Sequence, residues 1–418
     1  AALKALNRAV DLAPENSTAL STYAEAKKTS GDVIEALSLQ LQAAETNPLA
    51  DFVWLNLANT HMDLEQWDES YLAVKKSIVI SPHLCESWNN LGFIKINYGE
   101  FLLAERYFIQ ALIIRNKFAP SYSGLAEVNY LQNQLDDALN FSAIAIQFSP
   151  ESPHHYKSRR ALQLLAKGSM KDGWELKEAR LCLDHSIDHR GRPPRWDGQS
   201  LTDKTLLITA EEGIGDEVFY ASCFNDVINS TKQCFIECDP RLVSLFERSF
   251  PSANVREVER TGSRLKPVQS YYWLPKNPTV DLSIETGSLF RFFRSSIDDF
   301  QNRGPYLIPQ RDLQEKWRAR ISELGSGLKI GFCWRSKYPS IFRNHHYTQL
   351  TDWLEIFKLP TAHFISLQYG YDWQEEIDSA PNALREKITV FEDADMSDDM
   401  ETVFAIASNL DVIICPSS

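Results

Sequence analysis

Between residues 1 and 150 the chain repeats its pattern of apolar and small side chains every 34 positions. Pro14, Pro48 and Pro82 stand 34 apart, Asn116 takes the next slot, and Pro150 falls twice 34 beyond Pro82. In the same register Trp54, Trp88 and Tyr122 share one position, and Leu57, Leu91 and Leu125 share a second. Ala58, Gly92 and Ala126 fill a third, where two helices must approach closely. Later in each unit Ala36, Ala104 and Ala138 align, as do Ala43, Ala111 and Ala145. The spacing predicts helix pairs, each closed by a residue that cannot extend a helix. Two units depart from it: Leu20 takes the aromatic slot of the repeat at 17–50, and Ser70 and Ser77 take both later alanine slots of the next. Beyond Pro150, residues 166–181 still read as largely helical. The stretch H-R-G-R-P-P-R-W-D-G (189–198), with two prolines and two glycines, then marks a boundary. From Leu201 onward short strand-like runs take over, at 204–209, 233–238, 328–334, 362–367 and 411–415. Amphipathic segments at 240–249, 313–324, 348–357 and 399–409 separate them. This alternation predicts parallel sheets with helices on their faces. Because P-Y-L-I-P (305–309) interrupts the rhythm, the expectation is two such sheets with a cleft between them.

The 34-residue helix–turn–helix register over residues 1–170 resembles the tetratricopeptide repeat. Stacked helix pairs of this kind form a superhelix whose concave face typically binds an extended partner segment. The array has no chemistry of its own, so any reaction must lie downstream. With 418 residues, 44% apolar and 24% charged, the chain fits a soluble globular protein of two or three domains. A net charge of −13 argues against a nucleic-acid or anionic-membrane surface, because phosphates would be repelled. No apolar stretch approaches the roughly 20 residues of a membrane span, and no signal peptide opens the chain. Seven scattered cysteines without a disulfide-scaffold spacing favour a reducing, cytoplasmic setting. The first residues are already mid-helix in pattern, which points to a natural start upstream of Ala1.

In open α/β folds ligands bind at the carboxyl ends of strands, and two loops there stand out. The first is T-A-E-E-G-I-G-D-E-V-F-Y (209–220). Its G-x-G lacks a third glycine, and Glu211, Glu212, Asp216 and Glu217 would repel a pyrophosphate even beside a helix N-terminus. Such a loop suits taking a proton from a hydroxyl or holding polyhydroxylated material. Asp216 is either that ionised acceptor or a cap on the next helix, with the glycines forming a tight turn. The residues alone leave both open. The second loop, R-S-K-Y-P-S-I-F-R-N-H-H-Y (335–347), offers Arg335, Lys337, Arg343, His345 and His346 with Ser336 and Ser340. Guanidinium forks and hydroxyls after a strand suit a diphosphate, the alternative being a solvated basic loop. Acid on one side and base on the other fit a hydroxyl acceptor opposite a nucleotide-diphosphate leaving group.

Several motifs in order resemble the bacterial tetratricopeptide-repeat glycosyltransferases: G-W-E-L-K-E-A-R (173–180), P-R-W-D-G-x-x-L (194–201) and K-T-L-L-I-T-A-E-E-G-I-G-D-E-V-F-Y (204–220). I-E-C-D-P-R-L (236–242), P-Y-L (305–307), I-G-F-C-W-R-S (330–336), S-L-Q-Y-G (366–370) and N-L-D-V-I-I (409–414) continue the match over essentially the whole chain. The resemblance implies a heptosyltransferase-like GT-B region of two Rossmann-like halves around a cleft. It implies Asp216 as general base of an inverting transfer, in an acceptor-side loop with Glu212, Gly213 and Gly215. Donor contacts would come from Trp334, Arg335, Ser336, Arg343, Gln368 and Tyr369. It implies neither metal nor cofactor, the nucleotide-sugar being a substrate. Glu212 stands where the family often has glutamine, and Lys177 where it has tyrosine. The expected organisation is repeats at 1–170, a connecting helix and linker at 171–200, an acceptor-side half at 201–327 and a donor-side half at 328–418. That last half is expected to be incomplete, since the family continues past C-P-S-S (415–418).

Other clusters carry less. His185 and His189 have a metal-ligand spacing without a further ligand cluster, and Cys234 and Cys238 suit a buried strand face. Trp54 and Trp88 are expected in the repeat core. The sequence therefore supports a cytoplasmic glycosyltransferase moving a sugar from a nucleotide-sugar donor to a hydroxyl on a protein or surface glycan. For the repeats it leaves open a protein partner on the concave face, the pairing of two copies, or support of the next domain alone. The rival from another class is a tetratricopeptide-repeat binding scaffold with a degenerate, inactive GT-B region.

Overall fold

The computed structural model describes residues 2–183, 186–263, 266–276, 279–300, 304–336, 347–370 and 372–416. The chain divides into two compact units, Ala1–Ser186 with Ser263–Pro267, and Ile187–Gly262 with Val268–Ser418.

In the first unit helices pair as Ser17–Thr29 with Val33–Thr46, Asp51–Asp63 with Trp67–Ile80, Cys85–Asn97 with Phe101–Ile114, and Ala119–Leu131 with Leu135–Gln147. The first helices begin at 17, 51, 85 and 119 and the second at 33, 67, 101 and 135, so the 34-residue register is the period of the structure. This is a tetratricopeptide-like helical array. Ala36, Ala43, Ala104, Ala111, Ala138 and Ala145 are each fully buried, as close helix packing requires. Ser70 and Ser77 are accommodated in the same slots because their hydroxyls find partners, Ser70 on the Ala58 carbonyl at 3.0 Å and Ser77 on the Asp51 carbonyl at 3.1 Å. In the aromatic slot Trp54 and Trp88 pack against the repeat core, as expected, but at its margin. They are only partly buried, and their indole N–H groups donate to the carbonyls of Pro48 (2.8 Å) and Pro82 (2.9 Å). Tyr122 reaches the Asn116 carbonyl in the same way at 3.1 Å. An aromatic here ties the turn to the helix that follows, which explains the shared register of proline and aromatic.

Phe108, fully buried, lies between Gly92 and Gly124. A Cβ at Gly92 would stand 2.5 Å from the ring, and one at Gly124 would overlap it. Gly124→Ala is therefore expected to cost about 2 kcal/mol, the scale of overpacking in a close-packed core. Chemical denaturation monitored by helical circular dichroism checks it. Phe108→Leu in the same chain should recover a substantial part of the loss, and no recovery would place the cost elsewhere.

The second unit holds eleven strands among the described residues: β1 (Asp188–Arg190), β2 (Thr205–Thr209), β3 (Gln233–Cys238), β4 (Ala253–Glu257), β5 (Arg260–Ser263), β6 (Lys266–Ser270), β7 (Leu282–Glu285), β8 (Leu328–Phe332), β9 (Ala362–Ser366), β10 (Ile388–Thr389) and β11 (Val412–Ile414). They form two four-stranded parallel sheets, β4-β3-β2-β7 and β10-β9-β8-β11, and a small sheet β1-β6-β5. β2 is buried along its whole length, which is why it reads as an apolar run, and β8 is buried along all but its first residue, with Lys329 among the buried positions. Segment 348–357 is not one helix. It forms two single turns, Leu350–Trp353 and Ile356–Lys358, that bury Leu350, Trp353 and Phe357 against Phe332 and Phe364. Residues 194–196 are not a free linker. They run along β7, where the Pro194 carbonyl accepts from Ser283 N–H and Trp196 N–H donates to the Ser283 carbonyl.

Candidate active site

β2 ends at Thr209, and the acidic loop turns into the helix Ile214–Tyr220. Asp216 lies in the first turn of that helix, and its Oδ2 accepts from the Gly213 N–H at 3.3 Å. The carboxylate therefore satisfies an otherwise unmet helix-end donor. Gly213 and Gly215 are exposed and Glu212 is half-buried, so the loop presents its backbone to solvent. Its neighbour Glu217 turns inward and is only 3% exposed. Burial pushes its carboxyl up to about 8. The Asp239 N–H, donating to Glu217 Oε2 at 2.8 Å, opposes that rise, and the Asp239 charge adds to it.

On the other side, β8 leads into Trp334, Arg335 and Ser336. Trp334 is fully buried, with its indole N–H on Glu376 at 2.5 Å. Arg335 Nε donates to Glu376 at 2.8 Å. Ser336 is buried. Gln368, 1% exposed, accepts from the N–H groups of Trp334 (2.9 Å) and Arg335 (3.2 Å) and donates to the carbonyls of Arg335 (2.8 Å) and Tyr369 (2.9 Å). The side chains of Trp334 and Gln368 thus shape the loop from inside, where the sequence suggested direct donor contacts. Arg335 is partly exposed but already shares its charge with Glu376, a residue that sequence reasoning did not single out. Arg335, Thr348, Gln349, Thr351, Glu375 and Glu376 line a hollow of about 560 Å³ at this edge. Arg343, with Lys337, Ser340, His345 and His346, lies outside the described residues, as does His185.

Two arginines join segments that connect the strands of one large sheet to segments that connect the strands of the other. Arg241, just past β3, grips Asp239 with two nitrogens at 2.9 Å each and donates from Nη1 to the Ser397 carbonyl at 3.0 Å and to Asp398 at 3.1 Å. Arg248 makes a two-pronged contact with Glu401 at 2.6 and 2.8 Å and donates to the Ile308 carbonyl at 2.7 Å. The 194–196 edge is anchored by Glu285 at the end of β7, which accepts from Arg192 at 2.5 Å and Arg195 at 2.8 Å. Burial alone would raise the Glu285 carboxyl, but Arg192 and Arg195 outweigh it and hold the group at about 2. Nearby His189 bonds to Tyr271, Tyr271 donates to Gln269, and Gln269 donates to the Ala210 carbonyl at the base of the acidic loop. Burial and then the Arg192 charge hold His189 down at about 4, so it is neutral at physiological pH. Among the described residues no group of three or more His, Cys, Asp or Glu is placed to hold a metal ion. No helix among them is long and apolar enough to cross a membrane.

No family model matches the chain. Protein FlbA of Caulobacter vibrioides is 28% identical over 366 residues, 86% of this chain and 61% of that protein, so the chain spans about three fifths of its relative's length. Among solved structures, the Cut9–Hcn1 tetramer of the APC/C aligns with 43% of this chain and 36% of its own, at 18% identity and a TM-score of 0.40. TTC0263, a tetratricopeptide protein of Thermus thermophilus, aligns with 39% of this chain and 89% of its own, at 23% identity and a TM-score of 0.37. YrrB, described as a tetratricopeptide protein with an unusual peptide-binding site, aligns with 43% of this chain and 92% of its own, at 15% identity and a TM-score of 0.31.

Proposed function

We propose that this chain is the repeat-bearing glycosyltransferase its motifs resemble, with a GT-B-like second unit that moves a sugar from a nucleotide-sugar to a hydroxyl on a protein or glycan. The observation that carries the reading is a contact between segments that follow strands of the two parallel sheets, β3 in one and β10 in the other. Arg241, past the end of β3, contacts Ser397 and Asp398, which precede the helix Met400–Ala407 leading to β11. Loops that follow strands are where open α/β sheets bind ligands. Asp216 is the acceptor-side base. The hollow beside Arg335 and Glu376 receives the donor, its carboxylates and hydroxyls suited to sugar or ribose hydroxyl groups. The repeats hold the acceptor protein or a partner.

The test is a thermal-shift screen of the chain against UDP-, GDP-, ADP- and CMP-sugars. One nucleotide family is expected to raise the melting temperature by a few degrees, as binding at about a hundredfold excess over Kd contributes about 2.7 kcal/mol. No shift with any donor would favour the binding-scaffold reading, for which the internal Arg335–Glu376 pair is the supporting observation.

A further inference from the structure

Glu217 sits beside Asp216 on the same short helix, yet the two carboxyls face different surroundings. Asp216 turns back to the loop, whereas Glu217 is buried and holds the Asp239 backbone N–H at 2.8 Å. Asp239 opens the turn after β3. Its Oδ1 accepts from the Arg241 N–H at 3.0 Å and from Arg241 Nε at 2.9 Å, and its Oδ2 accepts from Nη2 at 2.9 Å. Three contacts on one short side chain fix the direction of the guanidinium. The remaining nitrogen, Nη1, then reaches the Ser397 carbonyl and Asp398. That segment is itself ordered by Asp395, whose Oδ1 accepts from the N–H groups of Ser397 (2.8 Å) and Asp398 (3.0 Å). An unbroken hydrogen-bonded path therefore runs from the acidic loop, through the turn after β3, to the loop of the other sheet.

We infer that Glu217 is a positioning residue: through Asp239 and Arg241 it sets the placement of the Asp216 loop relative to the 395–398 segment. The inference rests on the transfer reading only for its catalytic consequence. A buried carboxyl is costly, and a side chain that served only to fill space at this point would be apolar. Glu217 instead supplies the acceptor for a backbone donor that would otherwise be orphaned, and that donor begins the turn bearing Arg241. Burial favours the protonated carboxyl at neutral pH, so a glutamine, which is neutral and keeps a carbonyl acceptor, is the faithful substitute.

The experiment is hydrogen exchange of the intact chain, followed by mass spectrometry over peptides covering 236–242 and 395–400. In Glu217→Ala both peptides are expected to exchange at least threefold faster than wild type, and in Glu217→Gln both should return to the wild-type rate. Should Glu217→Ala fail to fold, Arg241→Ala and Asp398→Ala serve in its place. Asp398 is largely exposed and Arg241 partly so, and each variant should accelerate both peptides. Acceleration confined to the peptide that carries the substitution, or equal loss in the glutamine variant, would overturn the relay. A second readout applies once a donor is found: Glu217→Ala should lower kcat about tenfold with KM within twofold, with rescue by glutamine. Failure of transfer in the wild-type chain would count against the glycosyltransferase reading alone, since the exchange result does not depend on it.

Discussion

Glu285→Ala is expected to lower the stability of the second unit by about 3 to 5 kcal/mol, the usual consequence of removing one partner from a buried ion pair. Glu285 is 2% exposed and is the shared acceptor of Arg192 and Arg195. Without it two guanidinium groups remain, and the Arg192 side chain is only 12% exposed. Arg192 Nη2 is buried without a hydrogen-bond partner even in the intact protein, so it has no second acceptor at hand. The Ser283 hydroxyl still holds Arg192 Nε at 2.8 Å, which makes complete loss of structure unnecessary. In a unit of this size the change corresponds to a drop of roughly 10 °C in the melting transition. Glu285→Gln, which keeps an acceptor but not the charge, should lose about half as much. The linkage has a definite sign. Because the folded carboxyl is held at about 2, below its ordinary 4.5, it contributes stability above the ordinary value and loses it as pH falls from about 4.5 towards 2. Melting curves of wild type and Glu285→Gln should therefore converge in that acid window. A constant gap between them would show that the carboxylate charge is not what Arg192 and Arg195 stabilise.

This anchor also shows which parts of the structure the residues disclose. The repeat period was legible because the helix pairs pack alike, so proline, an aromatic and two alanines recur at fixed spacing in most units, Leu20, Ser70, Ser77 and Asn116 being the exceptions. β2 was legible because burial along its whole length leaves an apolar centre, and β3, β8 and β9 because their apolar residues cluster among few polar ones. β7 and β10 were not, since four and two residues carry no measurable alternation. Residues 189–198 lie just past the division between the two units, yet they are not a free linker. A proline cannot donate to a strand, but its carbonyl still accepts, and Pro193 and Pro194 both accept from Ser283. At the candidate site the acidic loop and its strand were evident. Glu376, which pairs with Arg335 from 41 positions away, left no local signal. Nor does sequence order distinguish Asp216 from Glu217. Helix phase alone sends the second inward and leaves the first at the surface.

Asp216→Asn is expected to reduce kcat for sugar transfer at least a hundredfold while leaving the donor-induced thermal shift within a degree of wild type. A single carboxylate at this position can fill two separable roles. As a cap, Asp216 needs only an oxygen near the Gly213 N–H, and the asparagine amide supplies one. As a base it must take the proton of an attacking hydroxyl, and an amide cannot; general base catalysis is typically worth 10²–10⁴-fold, or about 3 to 5 kcal/mol of barrier. Asn therefore keeps the loop and removes the chemistry, whereas Asp216→Ala removes both and should also cost the short helix about 1 kcal/mol. Steady-state kinetics beside donor-binding melts for the two variants give three distinguishable patterns. Loss of turnover in both with normal donor binding supports the base. Normal turnover in Asp216→Asn with loss only in Asp216→Ala leaves the residue a cap, and the proton must then be taken by another group on the same edge. Loss of donor binding in Asp216→Asn would put the negative charge, not the proton transfer, at the centre of what this loop does.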